Sequence, residues 1–176
     1  MAATPTGVVD WIRGKIGGDL TGAEIGVAVC GHVIQMLDVP GFIKRLYAVD
    51  PWLHYAEYVN AVNGAPDVEN VAQAQQDERY KAACDLAAKD GRLVVIREMS
   101  TEAAVRVNDG ELDFAYIDGN HTRDFVAKDI EAWWPKIRSG GIMAGHDYCR
   151  QVKEAVDARF GDSVEEVPSG SWAVRK

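Results

Sequence analysis

The chain has 176 residues and a mass of 19.2 kDa, one domain's worth and enough to enclose a core without disulfide or metal staples. With 47% hydrophobic and 26% charged residues it matches average globular usage, which excludes disordered, collagen-like and coiled-coil classes. A net charge of -8, with no basic patch, repels phosphate backbones and argues against a nucleic-acid partner.

The predicted elements begin in residues 1–18, where Val8, Trp11, Ile12 and Ile16 share one face of an N-terminal capping helix that Gly17-Gly18 ends. Ala23 to Val29 (AEIGVAV) reads as a strand, and Cys30-Gly31 turns it into a helix on which Val33, Ile34 and Leu37 recur at helical spacing. Lys44 to Val49 is a second strand, stopped at Asp50 because Pro51 lacks a ladder donor. Residues 55–89 are rich in Ala, Gln, Glu and Lys and broken by Asn63-Gly64-Ala65-Pro66, which predicts a helical insert of two helices and a turn.

Leu93 to Ile96 is a third strand and Ser100 to Val107 a short helix for which Ser100 is the candidate cap. Leu112 to Ile117 is a fourth strand, ending at Asp118. Phe125 to Ile137 is an amphipathic helix closing near Ser139-Gly140-Gly141, with a fifth strand over Ile142 to Ala144. A helix over Val152 to Phe160 follows, then a hairpin of Val164 to Val167 and Trp172 to Val174. Sustained alternation of strand and helix makes this one α/β domain over residues 1–176. Its sheet is mostly parallel, of about seven strands, with helices on both faces and an antiparallel C-terminal edge.

No apolar run approaches the roughly 20 residues that span a bilayer, and the N-terminus lacks a signal-peptide pattern, so no membrane association is expected. Cys30, Cys84 and Cys149 are odd in number and widely spaced, which suits free thiols in a reducing, cytoplasmic setting.

In open α/β sheets ligands bind beyond the carboxyl ends of the strands, and the polar candidates gather there: Glu24 and Gly26, Asp50, Glu98 to Ser100, Asp118 to His121, and His146-Asp147. A carboxylate after the second strand suits two vicinal ribose hydroxyls, and it equally suits capping the Asp-Pro-Trp turn. GVAVCG lacks the G-x-G-x-x-G dinucleotide fingerprint, and His32-Val33 stand where a phosphate loop carries Lys and Ser or Thr. A nucleoside without polyphosphate is the ligand class that remains.

The segments AEIGVAV, RLYAVDPW and LDFAYIDGNHTRDFVAKDIEAWWPKIRSGGIMAGHDY resemble the class I S-adenosylmethionine-dependent methyltransferases, in particular small O-methyltransferase-like members from bacteria and phage. The resemblance, running from about Gly22 to Phe160, implies a Rossmann-like fold with S-adenosylmethionine as cofactor. It also implies that Glu24, Gly26 and Gly31 lie near the methionine part and Asp50 at the ribose. Pro51 and Trp52 would flank adenine, Ser100 would meet the adenine edge, and Asp118 would hold the cofactor's amino group or a metal. The family's turn usually has glycine where Cys30 stands, so this turn is expected to be reshaped.

The transfer is an in-line attack of a substrate oxygen on an electrophilic methyl group, which asks the protein for proximity, orientation and a base. Two imidazoles are on offer. His121 lies three residues past Asp118, where catechol-type relatives place a catalytic lysine, and His146 directly precedes Asp147. Asp118 and Asp147 also match two magnesium-binding carboxylates of the metal-dependent members, whereas Tyr148 replaces their usual asparagine. The expectation is O-methylation of a small molecule or sugar hydroxyl, with catalytically degenerate cofactor binding or a scaffold role on the same fold as the alternative. Because so short a chain has little cover for its pocket, a homodimer is one way to close it.

Overall fold

A computed structural model describes residues 7–176, so the first six residues of the predicted capping segment lie outside the described residues. In chain order the elements are α1 Gly7–Ile16, β1 Leu20–Ile25, α2 Gly31–Asp38, β2 Ile43–Val49, α3 Gln73–Lys89, β3 Leu93–Ile96 and α4 Ser100–Ala103. These are followed by β4 Leu112–Ile117, α5 Arg123–Trp133, β5 Ile137–Gly145, α6 Arg150–Phe160, β6 Glu165–Val167 and β7 Ser171–Arg175. The seven strands form one sheet in the order β3-β2-β1-β4-β5-β7-β6. The first five are parallel, and β7 and β6 add an antiparallel edge. None of the described helices is long and apolar enough to cross a membrane.

Alternation along each strand divides the core in two. On β4, Phe114 and Tyr116 pack with Val9 and Ile12 of α1 and Val33 and Met36 of α2, while Ala115 and Ile117 face Val126 and Ile130 of α5 and Val152 of α6. Both faces of the parallel strands are thereby covered, as their near-continuous apolar sequences require. Trp133 is fully buried in the second layer, in keeping with a structural role for the Trp133-Trp134-Pro135 run.

Four expectations are corrected. The first strand spans Leu20–Ile25 rather than Ala23 to Val29. Gly26 turns the chain at φ 89, Ala28 and Cys30 follow at φ 45 and 63, and Val29 points into solvent. Residues 55–72 form no helix. Val59 and Pro66 make an isolated antiparallel bridge, and side-chain oxygens take the local amides: Asn60 from Val62 at 3.0 Å, Asn63 from Ala65 at 3.0 Å, and Asp67 from Glu69 at 2.9 Å. Such bonds give the backbone an alternative to helix, and they overrode the helical composition.

The helix expected to reach Ile137 ends at Trp133, two residues before the proline, and Ser139-Gly140 lies inside β5. There the pairing with β4 shifts register between Leu112 and Phe114, and Arg138 Nε bonds Asp113 at 2.7 Å. Ser100, finally, does not cap its helix; Met99 occupies the cap position, and the Ser100 hydroxyl accepts from Trp133 Nε1 at 2.9 Å.

Candidate functional site

The strand order reverses between β1 and β4, so their carboxyl ends diverge and open a crevice there. Gly26 makes the crevice narrow at its base. A Cβ on it would sit 2.3 Å from the carbonyl oxygen of Asp118, and its φ of 89 is one that L side chains rarely adopt. The loops after β1 and β4 therefore touch backbone to backbone.

Asp50, at the end of β2, organises the next turn. Its Oδ2 accepts the N–H groups of Val27 and Ala28, both at 2.9 Å, and its Oδ1 accepts that of Trp52 at 2.6 Å. A carboxylate has about four acceptor sites, so one remains for a ligand. The alternative of a turn cap is thus realised, and a ribose hydroxyl still has a place.

Two compartments flank Asp50. The first is a slot with Pro51, Leu53, Met99 and Phe125 among its apolar walls and Ser100 and Asp129 among its polar lining. Trp52 is not part of it, contrary to expectation. Its indole is fully buried, donates from Nε1 to the Ala28 carbonyl at 3.0 Å, and packs 5.4 Å from the Tyr80 ring, so it props the turn from beneath while Leu53 lines the slot. Asp129 is 4% exposed, and burial pushes its carboxyl up to about 7 despite a hydrogen bond from Ser100.

The second compartment is lined by Glu24, Gly31, His32, Asp118, His121 and Asp147, with Val29 and Val68 at its rim. Glu24 is buried, and burial raises its carboxyl above the usual range even though His32 Nδ1 lies 3.4 Å from Oε1. Its Oε2 has no hydrogen-bond partner among the described residues. For His32, burial pulls the imidazole down, but the hydrogen bond and charge of Glu24 outweigh it and the net shift is upward.

The histidines meet on the far side of this compartment. His121 Nε2 lies 3.2 Å from Asp118 Oδ1, and its Nδ1 is 4.0 Å from Asp147 Oδ2. His146 Nδ1 stands 3.7 Å from Asp118 Oδ1 and 3.1 Å from Asp147 Oδ1. Burial lowers the His121 imidazole, while the hydrogen bond and charge of Asp118, with a smaller contribution from Asp147, raise it; the net effect is upward from 6.5.

Donor atoms of Asp118, His121 and His146 all lie within 4.8 Å of one another. Two imidazole nitrogens and one carboxylate do not suit magnesium, a hard ion that takes oxygen ligands in a near-ideal octahedron. Tyr148 supplies no further oxygen there, because its hydroxyl is engaged by Asp157 and by Lys153 Nζ. These three residues do not fit the expected metal, and Asp147, the second expected carboxylate, faces the histidines, 3.1 Å from His146 Nδ1 and 4.0 Å from His121 Nδ1.

Of the residues singled out from sequence, Gly26, Asp50, Pro51 and Ser100 line the slot, and Glu24, Gly26, Gly31, Asp50, Asp118, His121 and Asp147 line the second compartment. His146 joins them through Asp118 and Asp147. Sequence reasoning missed Asp129, whose position on the buried stripe of α5 beside Val126, Ile130 and Trp133 was the available signal. Asn120, inside the candidate run Asp118 to His121 but given no role of its own there, accepts from Thr122 and donates to the Glu57 carbonyl at 2.9 Å, tying the loop after β4 to residues 55–72.

A family model described as a methyltransferase domain matches residues 23–148. No curated protein matches the chain significantly. Among solved structures, an rRNA methylase from Streptococcus thermophilus is similar with a TM-score of 0.63 at 12% identity, covering 96% of this chain and 93% of that one. The O-methyltransferase NovP is similar with a TM-score of 0.63 at 13% identity, covering 96% and 79%. A methyltransferase from Geobacter sulfurreducens gives 0.58 at 11% identity, covering 100% and 82%. At such identities the likeness establishes the Rossmann-like fold. Because the family match spans most of the chain and the sheet has the arrangement those structures share, the protein belongs to the methyltransferase-domain family and is a class I S-adenosylmethionine-dependent transferase.

Proposed function

We propose that the protein transfers a methyl group to a hydroxyl of a small molecule, with the base slot holding adenine, Asp50 the ribose, and the Glu24 side of the second compartment the methionine part. The slot beside Asp50, its open acceptor site and the unpartnered Oε2 of Glu24 fit an adenosyl ligand that carries a cationic amino-acid tail. When bound, S-adenosylmethionine supplies an electrophilic methyl group.

This chain's part is to orient the acceptor and take its proton. The observation that carries the reading is the His121 ring held at 3.2 Å from Asp118 in the compartment next to Glu24. Asp118 fixes the ring and stabilises the imidazolium that forms when the acceptor hydroxyl loses its proton. His146, against the same carboxylate, is the second base within reach. Among the described residues, six carboxylates and no Lys or Arg line the compartment, which disfavours a phosphate-backbone acceptor and favours a neutral or cationic small molecule, a sugar among them.

The test is calorimetric titration with S-adenosylhomocysteine on the wild type and on Asp50→Ala, with and without magnesium, followed by transfer of labelled methyl groups to a panel of hydroxyl acceptors. Binding that is lost in Asp50→Ala and indifferent to magnesium is expected. Tight binding with no transfer by the wild type to any acceptor would leave the chain a cofactor-binding protein without turnover.

A further inference from the structure

We propose that Asp118, His121 and His146 form a binding site for a divalent ion of the zinc class, one that prefers such an ion to magnesium and, when filled, holds His121 out of catalysis. The site itself stands apart from the methyl-transfer reading; only its effect on catalysis rests on that reading.

The donors come from two neighbouring strand ends. The parallel pairing of β4 with β5 sets Ile117 opposite Gly145, so Asp118 and His146 leave the sheet side by side, and His121 returns to them from the loop after β4. Ligands bonded to zinc at about 2.0–2.1 Å stand about 3.3 Å apart at the corners of a tetrahedron. His121 Nε2 is 3.2 Å and His146 Nδ1 3.7 Å from the same Asp118 Oδ1, and the three donors all lie within 4.8 Å of one another. Two edges of the tetrahedron are therefore close to their bonded length, and rotation of one half-buried ring closes the third. Among the described residues this is the one group of three such donors so close together.

The donor types set the choice of ion. Imidazole nitrogen suits zinc and its neighbours in the first transition row, whereas magnesium demands oxygen. A doubly charged ion between Asp118 and Asp147, with both imidazoles neutral, leaves the cluster without net charge, and among the described residues no Lys or Arg lines the compartment to oppose it. Asp147 adds to the arrangement with both oxygens. Its Oδ1, 3.1 Å from His146 Nδ1, is placed for a fourth ligand. Its Oδ2 lies 4.0 Å from His121 Nδ1, the nitrogen left over when Nε2 binds, and a carboxylate on that side is what fixes the tautomer and direction of a ligating imidazole. An ion held by Nε2 takes the lone pair that would receive the acceptor's proton, so the filled site and a working base exclude each other.

The experiment titrates the intact chain, freed of metal by a chelator, with zinc by calorimetry and with cobalt(II) by its visible absorption. The wild type is compared with His121→Ala, His146→Ala and, as a control for stray surface binding, His54→Ala, with thermal unfolding confirming that each is folded. A single ion per chain is expected, bound more tightly from manganese(II) through cobalt(II) to zinc and undisturbed by a large excess of magnesium. Each site variant is expected to weaken zinc binding by at least about 10- to 100-fold, the loss that even an outer partner of a ligand causes, while His54→Ala leaves it unchanged. No zinc binding, binding equally strong in both site variants, or displacement by magnesium overturns the proposal and leaves the methyl-transfer reading standing. Methyl transfer at full rate with the site filled by zinc leaves the ion site standing and overturns His121 as the base.

Discussion

His121 combines two opposing influences, burial that disfavours its charged form and the neighbouring Asp118 that favours it, and Asp118 prevails. An imidazole raised above 6.5 is protonated, and useless as a base, until the pH exceeds its shifted value. The expected kcat/KM profile therefore has an acidic limb centred above 6.5, with activity lost as pH falls through it. His121→Gln should remove the limb and slow turnover by about 10² or more, against an unchanged affinity for S-adenosylhomocysteine. A full-rate His121→Gln enzyme would pass the role to His146. The sequence made both histidines visible because they follow strand-ending segments, but it could not rank them, since the 3.2 and 3.7 Å separations from one shared oxygen depend on how two loops fold toward each other.

The turn after β1 shows how neighbouring side chains hold a strained backbone in place. Two non-glycine residues, Ala28 and Cys30, stand in the left-handed region, which costs about 1–2 kcal/mol each. Asp50, taking the amides of Val27 and Ala28, and Trp52, donating to Ala28, hold the shape. Cys30 is packed in the core, and burial pushes its thiol up to about 11, so it fills space and is inert near neutrality. Ala28→Gly should raise stability by about 0.5 to 1 kcal/mol, the relieved strain less the flexibility glycine brings to the unfolded chain, as denaturant midpoints would show.

That Cys30-Gly31 turns the chain into α2 was legible in the sequence. The course of residues 55–72 was not, because Asn60, Asn63 and Asp67 carry no periodicity, and their bonds to amides two residues ahead become decisive only where no buried face rewards a helix.

At the scale of the whole molecule, the alternation of apolar strands and amphipathic helices was enough to read the layered sheet with its antiparallel edge, since parallel neighbours demand crossovers. What alternation cannot supply is the distance between segments far apart in sequence. Gly26 and Asp118 are 92 residues apart, and the crevice exists because their loops pass within a hydrogen atom's tolerance of each other. Gly26→Ala should cost about 3 kcal/mol or more, because the new methyl runs into the Asp118–Gly119 backbone and the φ is unfavourable as well. Thermal unfolding would show it, and the same variant should lose S-adenosylhomocysteine binding wherever it still folds.

The three amides gathered by Asp50 carry a consequence for how the seat comes into being. Because Asp50 spends three of its acceptor sites on amides of its own chain, the turn is expected to be assembled ahead of its guest, with little freedom surrendered on association. In amide hydrogen exchange, Val27, Ala28 and Trp52 should be protected in the free chain almost as fully as in the loaded one; rapid exchange that slows only on loading would mean that the ligand builds its own seat.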